Sequence, residues 1–82
     1  MVKPRRDTVF LKSVAEKLKQ VRRERGLSQR VVYIDTDIHV GRIEQGKRNI
    51  ALSTLAILCD YYRIPLVDFF KDIPVDSKSL WE

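Results

Sequence analysis

The sequence predicts an all-α domain of five short helices. Apolar residues recur at spacings of three and four along most of the chain, and no stretch alternates apolar and polar residues as a half-buried strand would. Ser, Thr, Asp, Gly and Pro stand where helices start and stop. At 82 residues the chain makes one small domain, near the lower end of what buries a self-sufficient core. Its 44% apolar and 33% charged residues are those of a globular chain rather than a disordered one.

Residues 1–7 (MVKPRRD) contain Pro4, lack apolar periodicity and read as a basic arm. From Thr8 the pattern turns helical, with Leu11, Val14, Leu18 and Val21 on one stripe. Asp7 or Thr8 suits its N-cap and Gly26 its left-handed close, so the first helix is expected over about 8–25. Ser28 caps a second, short helix with Val31 and Val32 facing inward. It ends early, because Asp35-Thr36-Asp37 offers new caps. Thr36 is the expected N-cap of a third helix, about 37–44, with Asp37 in its first turn, where a carboxylate suits the helix dipole. Val40 and Ile43 are its inward residues, and Gly46 ends it. Ser53 is the expected cap of a fourth helix, whose Leu55, Leu58, Cys59 and Tyr62 share a face. Ile64-Pro65 breaks that helix, and Leu66 to Phe70 forms a fifth, offering Leu66, Phe69 and Phe70 to the core. The domain is thus expected over 8–73, with a C-terminal tail, 74–82, that carries an apolar Leu80-Trp81.

Charge narrows the function. The net charge is +5, but residues 1–25 hold nine Lys/Arg against three Asp/Glu, residues 26–50 four against three, and residues 51–82 three against five. Positive charge gathered at one end fits a polyanion on one side of the fold, nucleic acid before membrane; the alternative is a solvated basic helix face. No apolar run nears the roughly 20 residues of a membrane span. Nor does an apolar signal-peptide core follow the basic start, so the expected location is the cytoplasm, with no membrane partner. Cys59 is the one cysteine and His39 the one histidine, which excludes an internal disulfide and argues against a zinc site. With no Cys/His pair, Gly-rich phosphate loop or cluster of acids, neither an enzyme nor a cofactor is expected.

With the helices placed, the sequence resembles the helix-turn-helix family of the lambdoid phage Cro and repressor proteins (XRE-like), from about Leu18 to Phe70. The segments RRERGLSQ, GRIEQGKRN and LSTLAILCDYYRIPLVDFF carry the resemblance. It implies a lambda-repressor-like fold in which one helix crosses the DNA backbone and the next, about 37–44, presents polar residues to the major groove. One departure stands out. Only residues 30–41 separate Ser28-Gln29 from Arg42-Ile43-Glu44, about three fewer than the family usually has. The family's usual Ala and turn Gly are missing. Either helix 2 is cut by nearly one turn or the turn is tighter.

The resemblance places Asp37, Ile38 and Arg42 where the family reads bases, with His39 beside them. The chemistry agrees: Arg42 can bond two guanine acceptors, Asp37 can accept from a cytosine amine, and Ile38 can pack on a thymine methyl. A surface salt bridge for Arg42 and an ordinary first-turn carboxylate for Asp37 are the alternatives. Ser28, Gln29, Thr36, Lys47, Arg48 and Asn49 correspond to backbone contacts, Gln29 alternatively to a brace for the reading helix. Arg22 and Glu44 correspond to a structural ion pair, and Lys3, Arg5 and Arg6 of the arm can reach an adjacent groove or phosphates. Ile57, Tyr61 and Val67 fall on outward positions of a region through which the family often dimerises, and Trp81 is a further candidate for that seam.

The resemblance thus implies a sequence-specific transcriptional regulator, homodimeric on an inverted-repeat operator of double-stranded DNA. In layout it is similar to the controller proteins of restriction–modification operons. The alternative is an antitoxin-like interaction module on the same fold, and RNA polymerase or a toxin is then the further partner to consider.

Overall fold

The computed structural model describes residues 8–75, and among these every regular element is a helix. They are α1 (Thr8–Glu24), α2 (Gln29–Thr36), α3 (Val40–Ile43), α4 (Leu52–Tyr61) and α5 (Leu66–Lys71). None is long and apolar enough to cross a membrane. The arm, including Lys3, Arg5 and Arg6, and the Leu80-Trp81 pair lie outside the described residues.

The α1 stripe forms as its spacing requires: Leu11, Val14, Leu18 and Val21 are all buried. Val14, Leu18 and Val21 meet Val32 from α2, Val40 from α3, Leu55, Leu58 and Cys59 from α4, Tyr62 just after it, and Phe69 from α5. Burying each large apolar side chain stabilises by roughly 1.5–3 kcal/mol, so this one cluster is what holds helices too short to stand alone. Burial also pushes the Cys59 thiol up from its ordinary pKa, which suits a small apolar role.

Helix ends are set by local chemistry. After α1, Leu27 N–H bonds Arg22 C=O (3.2 Å) and Gly26 N–H bonds Arg23 C=O (2.9 Å), the paired bonds of a Schellman close around Gly26 at φ +70°. Ser28 caps α2, its hydroxyl accepting from Val31 N–H at 3.1 Å. α4 ends by the same paired bonds as α1, from Ile64 to Cys59 and from Arg63 to Asp60, with Arg63 in the left-handed region at φ +59°. Arg25 then donates to Tyr62 C=O at 2.7 Å, tying the end of α1 to the end of α4. Gly46 (φ +70°) lets the chain after α3 press onto α1: a Cβ there would sit 3.1 Å from Lys12 Cα and 3.3 Å from Ala15 Cβ.

The largest correction concerns the segment between α2 and α3. α2 does not stop before Asp35 but runs through Thr36, and α3 is not 37–44 but a single turn, Val40–Ile43. Thr36 does not cap α3. Its hydroxyl donates back to Val32 C=O (2.7 Å), a bond that keeps it inside α2, and accepts from Ile38 N–H (3.2 Å). Asp37 ends α2 instead of starting α3: it sits at φ +60° and its N–H bonds Tyr33 C=O at 2.8 Å. Short polar residues serve as helix starts and as left-handed stops, and here the stop prevails. Residues 37–39 thus connect an α2 of eight residues to an α3 of four.

Smaller corrections share one cause, the narrowness of the buried face on a short helix. Val31 is 40% exposed, since its neighbour Val32 takes the inward position and adjacent residues point about 100° apart. Leu66 and Phe70 lie one turn apart on the outer side of α5 and are exposed, while Phe69 and Ile73 are buried. Ser53 lies within the first turn of α4; Ala51, in extended conformation, precedes the helix without a side-chain cap.

Tyr62 is buried with its hydroxyl unpartnered among the described residues. Burial, and secondarily the Glu44 charge, push its pKa up from 10.0 to about 12. The folded chain thus keeps a proton that the unfolded chain releases. The associated stability is fully present below pH 10 and is lost as pH rises through about 12. Tyr62→Phe is expected to be neutral or stabilising at pH 7 and to flatten the alkaline loss in a series of denaturant titrations over that window. At the left-handed stop, Asp37→Gly is expected to be tolerated, whereas Asp37→Val is expected to cost about 1–2 kcal/mol in the same titration.

Candidate nucleic-acid interface

One ion pair orients the α2–α3 unit on α1. Arg22 Nε and Nη2 donate to the two Glu44 carboxylate oxygens at 2.7 and 3.0 Å, a bidentate pair with side chains only 9% and 3% exposed. The hydrogen bonds to Glu44 raise the guanidinium pKa above its ordinary value despite burial. Arg22 Nη1 also donates to Leu27 C=O at 2.8 Å, and Gln29 Nε2 donates to Glu44 Oε1 at 3.0 Å. Four segments converge on these groups: the end of α1, the turn after it, the start of α2 and the residue that closes α3. Gly41 permits the closeness, since a Cβ there would meet Gln29 Oε1 at 3.1 Å.

Two clefts open beside this network. The first, of about 360 Å³, lies between α2 and α3 and includes Arg30, Tyr33, His39, Arg42 and Gln45 in its lining. The second, of about 520 Å³, is lined by Arg42, Gln45, Lys47 and Arg48. Arg42 and Gln45 line both, so the clefts form one face. It carries four cationic side chains and no carboxylate, a distribution suited to the phosphates and acceptor-rich edges of nucleic acid. Within it Tyr33 and His39 stack, their ring centroids 4.3 Å apart and planes 30° apart.

Of the residues expected from sequence, this face brings together Gln29, His39, Arg42, Lys47 and Arg48. Asp37 is exposed at the end of α2, and Ile38 packs against the core. Neither lines a cleft. Ser28 and Thr36 use their hydroxyls within the α2 caps, and Asn49 is exposed beyond the second cleft. Ile57 and Val67 are exposed, 53% and 80%. Tyr61 is half-buried, and its hydroxyl donates to Asp35 Oδ2 at 2.5 Å, which raises its pKa and ties α4 to α2. Trp81 lies outside the described residues. Sequence reasoning missed Arg30, Tyr33 and Gln45. The spacing of Arg30 and Tyr33, three apart on the polar side of α2, is the signal that marks them.

In comparisons with known proteins, the helix-turn-helix family model matches residues 18–69, more than half of the chain. Neither a curated protein nor a solved structure matches. The matched span runs from Leu18 in the buried stripe of α1 to Phe69 in α5, and so takes in the ion pair, both clefts and most of the core. The chain belongs to the helix-turn-helix family of DNA-binding domains, of the Cro and repressor type.

Proposed function

We propose that the chain is a sequence-specific transcriptional regulator that binds an inverted-repeat operator as a homodimer. The carboxylate-free face with its four cations is the observation that carries this reading. Lys47 and Arg48, with Asn49 next to them, hold the DNA backbone, as does the start of α2 at Ser28. Such contacts set orientation but carry no base information. Arg42, shared by both clefts, reads a guanine, and His39 offers its ring nitrogens at the same edge. Gln29 braces α3 through Glu44 rather than reaching a phosphate. Thr36 and Asp37 shape the turn, and Ile38 anchors it. Lys3, Arg5 and Arg6 of the arm add to the phosphate contacts.

The dimer surface is assigned to the exposed Ile57 and Val67, with Trp81 a further contributor. Tyr61 stands at its margin. Two copies then place their reading faces about 34 Å apart on one side of the duplex. Such a dimer acts in the cytoplasm, by blocking or recruiting polymerase.

Selection from a random duplex pool tests the reading. The expected product is an inverted repeat with half-site centres roughly 10–10.5 bp apart. Arg42→Ala is expected to relax one position in each half, losing about 1–3 kcal/mol of discrimination. Lys47→Ala and Arg48→Ala are each expected to weaken binding on all sequences and to lower the salt slope by about one. Enrichment of no sequence, with binding indifferent to salt, would overturn the proposal. For the structural pair, Glu44→Ala leaves Arg22 buried and unpaired and is expected to cost about 3–5 kcal/mol in denaturant unfolding.

A further inference from the structure

We propose that Tyr33 is a specificity-determining residue, its ring packing on the 5-methyl group of a thymine in the major groove. The inference rests on the DNA-binding reading above and extends it from α3 to α2.

In the first cleft the stacked Tyr33 and His39 rings stand among Gln29, Arg30, Arg42 and Gln45, with Gly41 and the buried Val40 completing the lining. Tyr33 is 39% exposed, although α2 has an inward position, filled by Val32, that buries a side chain completely. An aromatic ring exposed on a DNA-facing surface offers an apolar contact there, and the apolar group a base pair shows in the major groove is the thymine methyl. Arg30 and Arg42 flank the rings and are placed to take phosphates or acceptor atoms on either side.

The short turn explains why the ring sits on α2. α3 begins only at Val40, so the residues expected to form its reading turn are spent on closing α2 and on the core. His39, immediately before α3, is itself exposed and stacks its ring on Tyr33, the centroids 4.3 Å apart. That contact fixes the Tyr33 ring against the start of α3. His39 is in this respect a positioning residue, whatever its nitrogens bond.

The test uses the full chain and its selected operator. Each thymine is replaced in turn by deoxyuridine, which deletes the methyl alone, and dissociation constants are measured for the unsubstituted chain, Tyr33→Phe, Tyr33→Ala and His39→Ala. One thymine per half-site is expected to matter. Its loss weakens binding by the unsubstituted chain about fourfold, the worth of one buried carbon. Tyr33→Phe keeps that sensitivity, Tyr33→Ala loses it at that position only, and His39→Ala reduces it. Where the alanine variant does not fold, Tyr33→Gln removes the ring and keeps a good helix former. Salt-dependent, sequence-specific binding that is indifferent to every methyl overturns this proposal alone, as does a Tyr33→Ala variant with undiminished methyl sensitivity or an operator without thymine. A chain that binds no duplex overturns it together with the function on which it rests.

Discussion

The buried pair of Arg22 and Glu44 is the constraint on which the rest of the molecule depends. A carboxylate with 3% side-chain exposure is tolerable only because a guanidinium meets both of its oxygens and a Gln29 amide adds a third bond. The geometry is directional, unlike apolar packing, so it sets where the end of α3 stands relative to α1 and α2. Arg22 extends the same control to the α1–α2 turn through Leu27 C=O. Four residues of helix make no stable structure in water. α3 exists because Val40 and Ile43 pack on the core and Glu44 is pinned just beyond them.

This fastening lets the connection between α2 and α3 be short. Here Asp37 takes the left-handed position itself, Thr36 bonds on both sides of the turn, and α3 keeps one turn. The result is a cationic face assembled from two helices and the loops beside them. Arg30 and Tyr33 come from α2, His39 from the turn, Arg42 from α3, and Gln45, Lys47 and Arg48 from the loop between α3 and α4. Its electrostatic character comes from keeping carboxylates away as much as from collecting cations. Glu44 is neutralised by Arg22, and Asp35 is engaged by Tyr61 on α4.

Chain-wide charge separation pointed to a polyanion but not to this face. The most basic segment by count, residues 1–25, places Arg22 in the core pair and Arg25 on the α4 terminus. The cations that line the clefts come from the nearly neutral middle segment. Net charge averages over residues whose roles differ, and only packing separates a structural cation from one left free to meet a ligand.

Much of the fold was legible from periodicity and caps. The stripe on α1, the shared face of Leu55, Leu58, Cys59 and Tyr62, the Ser28 cap and the Gly26 stop each reflect rules that act within a few residues. The family, too, was legible, because GRIEQGKRN and LSTLAILCDYYRIPLVDFF keep their spacing even though RRERGLSQ lies nearer than usual. What only the tertiary structure decided lies where two local rules compete or where a helix is too short to average its errors. Thr36 and Asp37 suit a helix start as well as a left-handed stop, and in the folded chain Asp37 takes the stop at φ +60°. Val31, Leu66 and Phe70 are apolar at plausible inward positions, yet a narrow helix face admits one neighbour and excludes the next. The Tyr33–His39 stack joins residues six apart across a turn whose path no local pattern specifies. Local chemistry determined which helices form and which family they compose. The competition for one buried core and one buried charge determined how they face the ligand.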